Sequence, residues 1–165
     1  MPAAAMSAAP PRLDERALRD AFGRFATGVA FVSTIVDGTP LGLIVSTFTA
    51  VSLAPPLVSF CPARNSLTWR RMRQAGAFTI AVLGPQHARF AQRAAQPGAD
   101  RFAEPVRDPL AVLECELAAE HATGDHSIVV GRVRRLEVSA DGPPLVYFAG
   151  AFGAFHPQET PCPQT

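Results

Sequence analysis

The 165-residue chain is long enough for one domain with a buried core and short for two. Its 48% hydrophobic and 18% charged residues argue against disorder, and a net charge of +1 gives no global field to draw nucleic acid or an anionic membrane. The three cysteines, Cys61, Cys115 and Cys162, show no CxxC spacing, which argues against a disulfide framework or a zinc site and suits a reducing, cytoplasmic setting. No metal site is expected.

The opening MPAAAMSAAPPR lacks a charged n-region and a continuous apolar run, so residues 1–12 read as a flexible tail ahead of a domain spanning 13–157. Residues 158–165 read as a second tail, and no run reaches membrane-spanning length. Leu13, Ala17, Leu18, Ala21, Phe22 and Phe25 recur at helical spacing among Asp14, Glu15, Arg16, Arg19 and Asp20. That predicts an amphipathic helix with Asp14 as N-cap and an end near Gly28, its apolar stripe packing on a core or a partner subunit. Val29–Val36 is rich in β-branched residues and ends at Asp37-Gly38, a strong hairpin signal.

Leu41–Leu53 is then expected to return as one strand. Its hydroxyls, Ser46, Thr47, Thr49 and Ser52, sit among Ile44, Val45, Phe48 and Val51, so neither face is simply apolar or simply polar. A buried hydroxyl without a partner costs about 1–3 kcal/mol, so these need either neighbouring backbone or a bound ligand. Ala54-Pro55-Pro56 ends the strand, and Leu57–Cys61 follows as a short apolar one. Ser66 is suited to cap a helix running to about Gln74 and closed by Gly76. The free amides of that first turn make an anion site, to which Arg64 and the hydroxyl of Thr68 would add. The Arg70-Arg71-Met72-Arg73 cluster reads as a solvated helix face.

Ala77–Leu83 is a further strand, and Gly84-Pro85 opens a third helix, Gln86–Ala95, with Phe90, Ala91 and Ala94 inward. Asp100-Arg101-Phe102 falls in a loop, where Arg101 reads as a surface charge. Two more strands, Val112–Glu120 and Ile128–Val138, flank Thr123-Gly124-Asp125-His126-Ser127. That turn exposes an imidazole at a strand mouth, with Asp125 placed to orient it; the ring suits proton handling or ligand contact, although a lone loop histidine is more often just polar surface. Asp141-Gly142 suggests a second hairpin, with Leu145–Phe148 as the last strand. About seven short strands with hairpin turns and two or three helices predict a mainly β chain, an antiparallel barrel with helices appended. Neither GxGxxG after a strand nor GxxxxGK[ST] is present.

Several motifs, in order, resemble the flavin reductase family of NAD(P)H:flavin oxidoreductases. They are Phe25-Ala26-Thr27-Gly28-Val29, Asp37-Gly38 with Gly42, the run from Val45 to Leu53, Pro55-Pro56-Leu57-Val58, Arg64 with Ser66, Gly76 with Phe78, Arg101-Phe102 and Gly124-Asp125-His126. The resemblance spans about Leu13 to Phe155. It implies an antiparallel, Greek-key-like FMN-binding split β-barrel. It further implies hydride transfer from NADH or NADPH to FMN or FAD, a homodimer, and delivery of reduced flavin to a partner monooxygenase. By the same resemblance Val45, Ser46, Thr47 and Ser52 lie along the flavin ring and ribityl chain, and Arg64, Ser66 and Thr68 hold the phosphate. Cys61, Arg101 and Phe102 become further flavin contacts. Asp125 and His126 meet the nicotinamide, with His126 the candidate catalytic residue. Ile44, Ala50 and Ala81 stand where the family has threonine, serine and asparagine. Those positions keep a second reading open, a non-catalytic flavin-binding or electron-carrier protein of the same fold.

Overall fold

The computed structural model describes residues 13–139 and 141–157. The two tails expected from the sequence, and Cys162 with them, lie outside the described residues. Helix α1 (Glu15–Phe22) starts as its sequence requires, the Asp14 carboxylate accepting from the Ala17 amide at 3.2 Å. It stops at Gly23 and not near Gly28, because Thr27–Gly28 forms strand β1 and draws the chain into a sheet. No residue of α1 is buried, and Leu13, Phe22 and Phe25 remain 75%, 71% and 77% exposed, so its apolar stripe is not packed on its own chain's core.

Strands β2 (Ala30–Val36) and β3 (Thr39–Val45) form the expected hairpin, with Val36 opposite Thr39. Asp37 (φ 49°) and Gly38 (φ 74°) are both left-handed, as a two-residue turn that follows the sheet's twist requires. The predicted single strand Leu41–Leu53 is in fact two. β3 ends at Val45, Ser46-Thr47-Phe48 leaves the ladder, and β4 (Thr49–Leu53) begins on a different neighbour, β5 (Pro56–Phe60). With β6 (Ala77–Val82), β7 (Ala111–Thr123) and β8 (His126–Val138) these strands form one antiparallel sheet of seven, in the order β3-β2-β6-β7-β8-β5-β4.

The two halves of the predicted strand are therefore the two edges of that sheet. Laid flat, six strand spacings of about 4.8 Å would separate the edges by roughly 29 Å. Four Cα steps from Val45 to Thr49 reach only about 14 Å. The sheet must curl until its edges face each other, and the edges, not hydrogen-bonded to one another, leave the barrel split.

A second sheet, ordered β1-β9-β10, uses β9 (Leu145–Phe148) and β10 (Ala151–Ala154). It corrects two sequence expectations. Asp141-Gly142 does not turn a hairpin, because β9 leaves β8 and pairs with β1 and β10. Phe148 does not end the last strand, because Ala149-Gly150 (φ 48° and 83°) makes a tight return into β10. Only Phe152 breaks the small residues of Ala151–Ala154, so the alternation that marks a strand is almost invisible there.

Two apolar cores explain why the strands read as continuous apolar runs. Ala30, Val32, Val45, Val58, Phe60, Phe78, Ile80 and Val129 fill the barrel with Trp69 and Met72 of α2 (Leu67–Met72). Val29, Phe31, Leu83 and Leu145 lie on the outer face beneath Phe90, Ala91 and Ala94 of α3 (Ala88–Ala94). β2 thus buries both faces, which removes its alternation. Inside the barrel Phe60 meets Trp69 and Phe78 edge-to-face, each at 5.3 Å between centroids. Cys115 lies in the same core, where burial pushes its thiol up to about 11. No described helix is long and apolar enough to cross a membrane. Truncating the fully buried Phe60 to alanine is expected to lower unfolding free energy by about 3–5 kcal/mol, read from urea denaturation midpoints.

Candidate active site

The split edge is where the chemistry-bearing residues gather, and backbone contacts bring them there. After β5 the loop Cys61–Ser66 runs beside the β7–β8 turn. Ala63 bridges His126, the Arg64 amide donates to the Asp125 carbonyl at 2.9 Å, and the Ser127 amide donates to the Pro62 carbonyl at 3.0 Å. The Arg64 guanidinium adds a bond to the Gly124 carbonyl at 3.1 Å. On the other side the Cys61 amide donates to Thr47 Oγ1 at 2.8 Å, which ties the edge-crossing segment to the same loop. Thr47, Cys61, Arg64, Asp125 and His126 thus form one rim, although up to 79 positions separate them in the chain.

A cleft of about 1020 Å³ opens beside this rim, lined by Arg19, Arg24, Thr27, Ser46, His126 and Tyr147 among others. At the top of the size range for small-molecule sites, it has room for more than one ring system. Gly124, at φ 59°, lets the two-residue turn put His126 at the first position of β8. The His126 Nδ1–H donates to Asp125 Oδ1 at 2.9 Å, leaving Nε2 for the cleft side. That hydrogen bond is the main reason the exposed Asp125 carboxyl sits below its ordinary range, with its own backbone amide and the charges of His126 and Arg19 adding to it.

Thr27 lines the cleft, and its buried Oγ1 has no hydrogen-bond partner among the described residues. Sequence reasoning quoted Thr27 within a motif but assigned it no role, and it left out Arg19, Arg24 and Tyr147. They join the site because the Ala149 amide donates to the Gly23 carbonyl at 2.9 Å, pinning the end of α1 to the β9–β10 turn. No sequence periodicity reports such a contact.

The other sequence candidates divide. Val45 is buried in the barrel core, and Thr47 and Thr49 are exposed. Ser46 lines the cleft. Ser52 lies further along the β4–β5 hairpin, opposite Leu57 and past a bulge. Ser66 Oγ accepts from the Trp69 amide at 3.1 Å, so the amides of Leu67 and Thr68 are left facing out of the first turn near Arg64. Arg101 and Phe102 are not brought to this rim. Arg101 Nε donates to the Ala94 carbonyl at 2.8 Å, closing the end of α3, and Phe102 packs on Phe31 with centroids 5.7 Å apart. Ile44 and Ala81 pack against that same outer core, which explains their apolar character. Buried His87 is structural: Gly84 donates to its Nδ1 at 3.1 Å and its Nε2 meets the Arg107 carbonyl at 2.7 Å.

A split antiparallel barrel with a hydroxyl- and imidazole-lined cleft and an arginine on its rim suits the class of nucleotide-dependent oxidoreductases. Residues 22–156 match the model of the flavin reductase like domain. The flavin-dependent monooxygenase reductase subunit HsaB of Rhodococcus jostii is 34% identical over 159 residues, covering 90% of this chain and 82% of that protein. The FMN reductase (NADH) SmoA of Agrobacterium fabrum is 36% identical, covering 88% of each. Among solved structures, the NADH:FAD oxidoreductase SgcE6 of Streptomyces globisporus, crystallised with NAD and FAD fragments, superposes with a TM-score of 0.83 at 28% identity. It covers 89% of this chain and 96% of that one. The chain belongs to the flavin reductase family.

Because the Asp125 carboxyl titrates below its ordinary value in the folded state, its pairing with His126 stabilises the turn above the carboxylate range. That contribution is lost as pH falls through the depressed value. An NMR titration of the Asp125 carboxyl carbon should place its midpoint below that of a free aspartate, and His126→Ala should move it back up.

Proposed function

We propose that this flavin reductase passes a hydride from NADH or NADPH to FMN or FAD in the cleft beside His126 and releases the reduced flavin to a partner monooxygenase. The observation that carries the reading is the convergence of Ser46, Thr27 and His126 on one cleft, with Arg64 at its rim and the Leu67 and Thr68 amides beside it. The residues fit a ligand with a polar ring and a phosphate. Ser46 and Thr27 line the cleft where the ring would lie, and Arg64 with the exposed amides suits the phosphate. When bound, the flavin supplies the redox chemistry, accepting the hydride at N5.

What the chain itself does is hold and orient. Asp125 fixes the His126 ring through Nδ1, so Nε2 can hydrogen-bond the polar edge of the nicotinamide. Thr27 and Ser46 hydrogen-bond the flavin ring, and Arg64 anchors its phosphate. Phe22 and Phe25 form one apolar wall of the cleft. The non-catalytic alternative finds less support. Of the three residues that motivated it, Ile44 and Ala81 pack into the outer core, and Ala50 lies exposed on β4.

A steady-state assay crossing both nicotinamides with both flavins tests the reading. Turnover of a reduced nicotinamide should require added flavin, and its absence with every pair would remove the assignment. His126→Ala is expected to cut kcat/KM for the nicotinamide roughly 10- to 100-fold while flavin affinity holds.

The same reading includes a homodimer. The apolar stripe of α1, with Leu13, Phe22 and Phe25 exposed, is covered by a second copy beside the cleft. Sedimentation equilibrium should return twice the chain mass, and Phe22→Glu should shift it toward the single chain. A monomeric wild type would end this part of the proposal.

A further inference from the structure

We propose that the groove on the far side of Arg64 is a subsite for a second phosphate and its nucleoside, so that this protein takes the flavin dinucleotide FAD in preference to FMN. The inference rests on the reading of Arg64 as the phosphate end of the flavin site.

The groove, of about 660 Å³, is lined by Arg64, Asn65, Arg70, Arg73, Gln74 and Glu120, with Trp69 and Ser127 as its floor. It begins one residue beyond Ala63, which bridges His126 on the wall of the main cleft. A ligand whose ring lies in that cleft and whose phosphate reaches Arg64 therefore has this groove directly ahead of it. Its volume lies within the range of ordinary small-molecule sites.

Charge decides what the groove suits. Its one acid among the described residues, Glu120, is already engaged on both oxygens. Oε1 accepts from the Trp69 indole N–H at 3.1 Å, and Oε2 faces Arg73 Nη1 at 3.4 Å. Arg73 and Glu120 neutralise each other, which leaves Arg64 and Arg70 as two uncompensated cations. Arg70 is exposed on α2 and makes no ion pair among the described residues. Two cations at separate positions on one groove suit the two linked phosphates of a pyrophosphate, one phosphate to each arginine. A flavin ending in one phosphate would use Arg64 and leave Arg70 without a role. The side-chain amides of Asn65 and Gln74 supply donors and acceptors for a ribose or a base. The buried Trp69 keeps the floor fixed, so the groove exists before a ligand arrives.

The test measures KM for FAD and for FMN at saturating nicotinamide in the wild type, Arg70→Ala and Arg64→Ala. Wild type should have the lower KM for FAD. Arg70→Ala should raise the ratio of KM for FAD to KM for FMN about tenfold, and added salt should erode the wild-type preference. Arg64→Ala should weaken both flavins. The proposal is overturned if Arg70→Ala moves both flavins equally, moves neither, or moves only the nicotinamide KM. If Arg64→Ala leaves both flavins untouched, the underlying placement of the phosphate fails instead. Thermal denaturation of each variant separates these outcomes from loss of fold.

Discussion

The three residues Ser46-Thr47-Phe48 set the constraint on which the rest of the molecule depends. They join the two edges of a seven-stranded sheet, and their reach is about half the width of that sheet laid flat. Curling satisfies the geometry and at once produces a closed apolar interior, filled by Phe60, Phe78, Trp69 and Met72. It also leaves one seam where the backbone is not paired strand to strand. Along that seam the polar groups of Thr47 and the loop after β5 find each other through the Cys61–Thr47 bond. The seam is the place in the barrel wall where a ligand can meet unpaired polar groups without breaking a ladder.

The outer core gives the seam a rigid backing. With both faces of β2 buried, one in the barrel and one under α3, a shift of register would carry Val32 and Phe31 each into the other's core and disrupt the packing of both. Arg101 belongs to this backing, holding the end of α3. Arg101 satisfies its Nε within this layer, on the Ala94 carbonyl, while Arg93 Nε and Nη2 on α3 and Thr27 Oγ1 on β1 stay buried without a partner among the described residues. A rigid frame with unfilled polar groups at one edge is what a hydride-transfer enzyme needs, since its task is to fix two rings at a set distance.

Much of this was legible in the chain. The Asp14 and Ser66 caps, the Asp37-Gly38 turn, the inward face of α3 and the Gly124-Asp125-His126 turn all depend on residues within four positions of one another, and local chemistry specifies them. The break inside Leu41–Leu53 was not legible. A chain that changes sheet edge carries the same β-branched composition on both sides of the break, and nothing in Ser46-Thr47-Phe48 announces the change. β10 was missed because Ala151–Ala154 pairs by backbone alone, with little side-chain pattern to read.

The sequence by itself determined the element types, the turn positions, the mainly β class and the residues able to bind an anion or hold an imidazole. Those follow from propensity, capping and spacing along the chain. Only the tertiary structure decided which of the candidates share a site. It put Ser46, Thr27, Arg24 and His126 around one cleft and set Arg101 and Phe102 apart from them. It also placed Arg70 in a groove continuous with Arg64. The reason is that these neighbourhoods are made by long-range backbone bonds, Ala63 to His126 and Ala149 to Gly23, and such bonds involve atoms every residue possesses.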